Sequence, residues 1–352
     1  MLSRRGLITG AAALAAYSQM EDAEAVNRLL LLGGVPHLPG SAVDMNFAAG
    51  QYYGGSLSSL ISVSRASQKT NLLSTSASGY PYLTFANNTA AITPGFGILI
   101  EQASSNIFLN SSAPVTQSIS LAATGSYTLW VNGSGSAAIS AGSATITGAG
   151  TATNGSPVTI NCTATGTVTV TISGSLNVVQ LEQLSFPTSY IPTTSSTVAR
   201  AADVVTCTGL LQSLLQGASG SALIGSNGLQ YVSGGHNALI DSANNGGHIL
   251  GVEASATQLS SYDFSNVVTA TIGQGLSVAN NIKSGAAWSG TTISIVSAAG
   301  SVGTGNYTRA HNADTWAIGN QNGGVFSNGQ ITRVVAWPYR LSDASIQSLT
   351  HP

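Results

Sequence analysis

Residues 166–174 read Gly-Thr-Val-Thr-Val-Thr-Ile-Ser-Gly, so that Val168, Val170 and Ile172 alternate with Thr167, Thr169, Thr171 and Ser173 between two glycines. Successive side chains of a β-strand point to opposite faces, which makes this a strand with one apolar face and one hydroxyl face. The pattern recurs and never lengthens. Tyr127, Leu129 and Val131 alternate with Trp130 on the other face, and Val158 and Ile160 repeat the spacing. Gly, Asn and Ser clusters separate these runs, and no helical period intervenes. Many short strands of this kind predict an antiparallel sandwich or jelly roll.

Composition decides between order and disorder. Charged residues make up 6% of the 352 residues, against about 25% in an average soluble protein. Disorder pairs low hydrophobicity with high net charge. This chain is 43% hydrophobic with a net charge of −2, which favours an ordered β protein with a neutral, hydroxyl-rich surface. Ten scattered basic residues supply no patch for neutralising phosphates, so nucleic acid is excluded as a partner. Nor is a membrane partner expected. Low surface charge favours burial in an oligomer or larger assembly. Cys162 and Cys207 have no zinc spacing and read as two buried thiols, a disulfide remaining the alternative.

Two prolines, Pro187 and Pro192, sit in Thr- and Ser-rich sequence between Gln180 and Val205. Proline removes a ladder donor, so this stretch is expected to cross between two β domains rather than continue a central strand. The predicted organisation is all-β: two consecutive jelly-roll or β-sandwich domains over 41–199 and 200–352, preceded by a short N-terminal helical anchor over 1–40. In that anchor, Ser18 and Glu21 form a capping box for a helix running to Leu32. Ser3-Arg4-Arg5-Gly6-Leu7-Ile8 resembles a twin-arginine export motif, but the apolar run after it is short, and a retained docking segment is preferred. Leu210, Leu211, Leu214 and Leu215 predict a short helix, with strands expected near 222, 267–272, 292–296 and 331–335. At the end, Ser342 caps a last helix in which Leu341 staples against Ile346, with Leu349 on the same face.

The chemistry search returns little. There is no G-x-S-x-G elbow, and Asp241, Glu253, Asp263 and Asp314 form no local signature. His236, His248 and His311 match no metal spacing and read as loop residues, so no metal or cofactor is assigned; a single loop Ca²⁺ leaves no signature in sequence. A flat ring and amides are what sugar recognition requires, which makes Trp130, Trp288, Tyr307 and Trp316 candidates for glycan stacking. Core filling or an oligomer contact is the competing role for each, and Trp337 is assigned to packing.

Several stretches together resemble one family. Ser64-Arg65-Ala66-Ser67 is followed by Gly97-Ile98-Leu99-Ile100-Glu101 and Asn106. Gln180-Leu181-Glu182 is followed by Ser189-Tyr190-Ile191-Pro192 and Arg200-Ala201-Ala202-Asp203, and the chain closes with Arg340-Leu341-Ser342-Asp343. These are similar to modules of tailed-bacteriophage virion fibres and related appendage proteins, built from carbohydrate-binding-module-like and concanavalin-like (LamG) jelly rolls. The chain departs from that pattern at Gln68-Lys69-Thr70-Asn71, where the family often continues with Thr and Ala. The resemblance implies a homotrimeric head, neck or tail fibre in the virion, assembled in the host cytoplasm. It also implies contact with other virion proteins through Arg4, Arg5, Leu7 and Ile8, and adhesion to host surface polysaccharide. It carries over no catalytic residue, and no enzyme activity is expected. An exported bacterial carbohydrate-binding protein, a capsid decoration protein without ligand and a glycan depolymerase are the alternatives.

Overall fold

The computed structural model describes residues 37–72, 82–230, 236–242, 248–253, 258–263, 266–271, 282–298, 300–306, 315–321 and 325–351. The expected N-terminal helix over 18–32 lies outside them. Among the described residues, strands dominate and helices are short. No helix there is long and apolar enough to cross a membrane.

The chain forms two compact β units, and they are interleaved rather than consecutive. One comprises Val63–Thr93 and Ile100–Val204; the other takes residues up to Ser62, Pro94–Leu99 and everything from Val205 onward. The break expected at 200 falls at Val204/Val205, whereas the jelly roll expected from 41 begins at Val63 and is interrupted at Pro94–Leu99. The reason is a strand pairing: Val43–Asn46 runs antiparallel to Gly329–Trp337, with Val43 opposite Ala336 and Asn46 opposite Arg333. Val43 and Met45 are fully buried, so the second sandwich takes part of its core from the start of the chain.

The inserted unit is built on a jelly roll whose two sheets, among the described residues, have four strands each. One sheet has the order Thr145–Thr147, Val158–Ala164, Gly125–Gly133, Leu176–Glu182, and the other Gly150–Thr153, Ser136–Ala141, Gly166–Ser173, Gln117–Leu121. Consecutive strands alternate between the two sheets, so every pairing is non-local. The expected alternation is present: Val168 and Val170 are buried, while Thr171 and Ser173 face out. These valines meet Leu129, Val131, Ile160 and Leu181 in one core between the sheets.

The discontinuous unit stacks two antiparallel sheets. One runs Gln51–Tyr53, Val43–Asn46, Gly329–Trp337, Ser219–Asn227, Ile282–Ser289, Thr292–Ser297, Gly303–Asn306. The other includes Asn266–Thr271, Gln258–Asp263, His248–Glu253, His236–Ser242 and Trp316–Ile318. Expected elements recur here. Helix Gly209–Leu215 buries Leu211 and Leu215, and helix Asp343–Leu349 has Ser342 as its cap, accepting from the Ser345 N–H at 3.1 Å. Leu341 and Ile346 then join Leu223, Val335 and Trp337 in one cluster, as the staple requires. Ile346 comes so close to Gly285 that a Cβ there would lie 2.7 Å from it. Trp337 is buried and donates its indole N–H to the Pro39 carbonyl at 3.1 Å, so the end of the expected anchor, His37–Gly40, packs with this unit.

Cys162 and Cys207 are buried free thiols, one in each unit. Burial pushes the Cys207 thiol well above its ordinary range.

Candidate functional site

The Pro-marked stretch is not a linker. After strand Leu176–Glu182 it folds back over the jelly roll, and two carboxylates grip its backbone. Glu182 accepts from the Thr188 N–H at 2.8 Å and its hydroxyl at 2.6 Å, and Glu101 accepts from the Ser189 N–H at 2.8 Å and its hydroxyl at 2.7 Å. The next residues are held as closely. Ile191 donates to Gln180 Oε1 at 2.8 Å, its carbonyl accepts from Asn106 Nδ2 at 2.9 Å, and Tyr190 Oη meets Ser111 Oγ at 2.7 Å. Strand Val198–Arg200 then pairs with Ser104–Asn106. Prolines suit this path because the backbone is satisfied by side chains and needs no regular ladder.

The strap ends in a buried charge network. Asp203 is bound by Arg65 Nη1 at 2.7 Å and Lys69 Nζ at 2.6 Å, and it accepts from the Glu101 N–H at 3.0 Å. Lys69 also reaches Glu101 at 3.0 Å, and Arg200 lies 3.4 Å from Glu101 and 3.8 Å from Asp203. These five side chains are between 0% and 7% exposed. Three of the chain's ten basic residues are thus spent inside one domain. Arg65 further donates to the carbonyls of Ser67 and Ala86, and Arg200 to that of Gln102, which satisfies most of both forks.

Charge and burial act oppositely on the two glutamates. Desolvation is the largest influence on Glu101 and would raise its pKa, but Lys69, Arg200 and the Ser189 hydroxyl together outweigh it and hold the carboxyl down at about 2. Glu182 has no cation within reach among its described contacts. Burial pushes it up, and donation from Ser104, Thr188 and Gln180 offsets only part of that.

The aromatic candidates are placed elsewhere than expected. Trp130 does lie opposite Leu129, yet Tyr190 covers it edge-on at 6.2 Å, its N–H goes to Glu182 at 3.2 Å, and it is only 9% exposed. Trp288 is 1% exposed: its ring fills the space over Gly220, where a Cβ would approach to 2.5 Å, and its N–H bonds the Gly217 carbonyl. Trp316 is 2% exposed. None of the three offers a ring face to a sugar, so the stacking role gives way to packing. Tyr307, Arg4, Arg5, Leu7 and Ile8 lie outside the described residues, as do Asp314 and His311. The register sets Asp241 opposite His248 and Glu253 opposite His236, at opposite ends of one hairpin. Among the described residues no group of His, Cys, Asp and Glu is arranged to hold a metal ion.

What the jelly roll does offer outward is a hydroxyl face. Ser118, Thr169 and Ser140 stand in one cross-strand row, and Ser173, Ser136 and Thr153 in another, all at least partly exposed.

No protein-family model matches the sequence. No curated protein matches it significantly. Among solved structures, the chain is similar to the CBM40 of Ruminococcus gnavus IT-sialidase bound to α2,3-sialyllactose, at 11% identity and a TM-score of 0.29 over 38% of this chain and 83% of that one. It is similar to Trypanosoma rangeli sialidase in complex with the inhibitor DANA at 10% identity and a TM-score of 0.32, over 42% of this chain and 26% of that one. Mouse laminin α1 domains LG4-5 give 10% identity and a TM-score of 0.22, over 70% and 91%.

Proposed function

We propose that the protein is a non-enzymatic structural component of a tailed-phage particle, a head, neck or tail fibre whose β-sandwich units adhere to host surface glycans. The observation that carries this reading is the convergence of the fibre-like motifs. Arg65, Glu101, Asn106, Gln180, Glu182, Ser189 to Ile191, Arg200 and Asp203 are scattered over 139 positions of sequence, and their side chains and backbone form one connected, largely buried assembly. With the tryptophans buried, the glycan contact passes to the uncharged hydroxyl rows of the jelly roll. Weak contacts there suffice when many copies act together on one particle.

Electron microscopy of phage particles with a labelled antibody tests the reading: label at a defined head, neck or tail position is expected, and unlabelled particles would sink it. Glycan-array binding by the purified chain separates adhesion from decoration alone.

A further inference from the structure

Lys69 is placed for a covalent reaction inside the jelly roll. Its Nζ lies 2.6 Å from Asp203 Oδ2 and 3.0 Å from Glu101 Oε2, in an interior where all three side chains are at most 7% exposed. Of the three cations in the network it alone is a nucleophile, because a guanidinium stays charged and delocalised. The Asp203 carboxyl is polarised on both oxygens, by Arg65 on Oδ1 at 2.7 Å and by the Glu101 N–H on Oδ2 at 3.0 Å. Donors so placed stabilise the negative charge that develops when the carbon is attacked.

The geometry points to an intramolecular isopeptide bond between Lys69 and Asp203, with Glu101 carrying the protons. Lys69 first gives one ammonium proton to the Glu101 carboxylate, which frees the Nζ lone pair; Nζ then forms a bond to Asp203 Cγ, and the bond from Cγ to Oδ2 breaks. Of the three ammonium protons, two pass to Oδ2 through the Glu101 carboxylate and leave with it as water, and the third remains on the amide nitrogen. The positive charge of the amine and the negative charge of the carboxylate disappear together, so no further reactant is needed.

Two physical effects favour the step. In water an ammonium and a carboxylate are too well solvated to condense, whereas burial removes that solvation and penalises the charged pair relative to a neutral amide. The fold also holds the two groups, 134 residues apart in sequence, at contact distance, so the reaction is unimolecular. Arg200 remains 3.4 Å from Glu101, and Arg65 keeps its bonds to the carbonyls of Ser67 and Ala86. This inference is independent of glycan adhesion.

Mass spectrometry of the purified full chain, with fragment mapping, tests it. The expected result is a mass one water below that of the sequence and a branched peptide joining Lys69 to Asp203. Lys69→Arg keeps the charge but cannot form the amide, so it should fold, carry the full mass and migrate more slowly in denaturing gels. Glu101→Gln should form the bond far more slowly than the natural chain. A folded natural chain that retains the full mass and an unmodified Lys69 peptide after prolonged incubation overturns the proposal. So does a water loss that persists in Lys69→Arg, because it would come from elsewhere.

Discussion

Each charged residue of the jelly-roll interior is tied to a partner whose removal would strand it. Breaking a buried pair costs about 3–5 kcal/mol because the remaining charge is left without compensation. Glu101 makes the effect readable by pH. Its folded pKa of about 2 lies below its ordinary value of 4.5, so the native state binds fewer protons than the unfolded chain between those limits. The resulting stability is fully present above pH 4.5 and is lost as pH falls toward about 2. In Lys69→Arg, which keeps a cation beside Glu101, denaturant titrations across that window should show stability falling with acid, and a shallower fall once Glu101→Gln is added; an unchanged slope would count against the ion pairing. None of these roles was legible residue by residue. Arg65, Glu101 and Asp203 were visible as parts of motifs, but a pairing between positions 65 and 203 has no local signature. The available signal was indirect, namely charged residues kept at motif positions in a chain nearly devoid of charge. The tryptophans misled for a related reason: the cover over Trp130 comes from Tyr190, which is sixty positions further on.

Elements governed by neighbours in sequence form where the sequence predicts them. The period-two strands bounded by glycine appear where expected, because the alternation is the same signal that folding uses to choose a face. The closing helix is similar: Leu341, Ser342, Ile346 and Leu349 carry both its start and its buried side. Two substitutions should separate these contributions in urea midpoints. Ser342→Ala removes the cap and should cost about 1 kcal/mol, whereas Ile346→Ala empties the site over Gly285 and should cost about 2–5 kcal/mol. Equal losses would mean that the cap, not the apolar contact, holds the helix in place. The Pro-marked segment departs from its expectation as a crossing between domains. Proline reports that a chain leaves a ladder, and says nothing about which surface receives it.

For the whole molecule, the sequence allowed two β units to be counted but not to be assigned their residues. Val43-Asp44-Met45-Asn46 is four residues long, and its partner strand is almost 300 positions away, so only the fold reveals that it belongs to the later unit. A chain beginning at Val63 should therefore lose the sandwich formed after Val205 while keeping the jelly roll. Hydrogen exchange is expected to show protection retained over 117–182 and lost over 205–351. Protection retained in both would mean that the early strands are dispensable. The interleaving bears also on how such a protein withstands damage. Backbone passes from one unit to the other after Ser62, Thr93, Leu99 and Val204. A protease that cuts any one of these crossings leaves the jelly roll covalently tethered through the rest, whereas a module at the end of a chain is shed by a single cut.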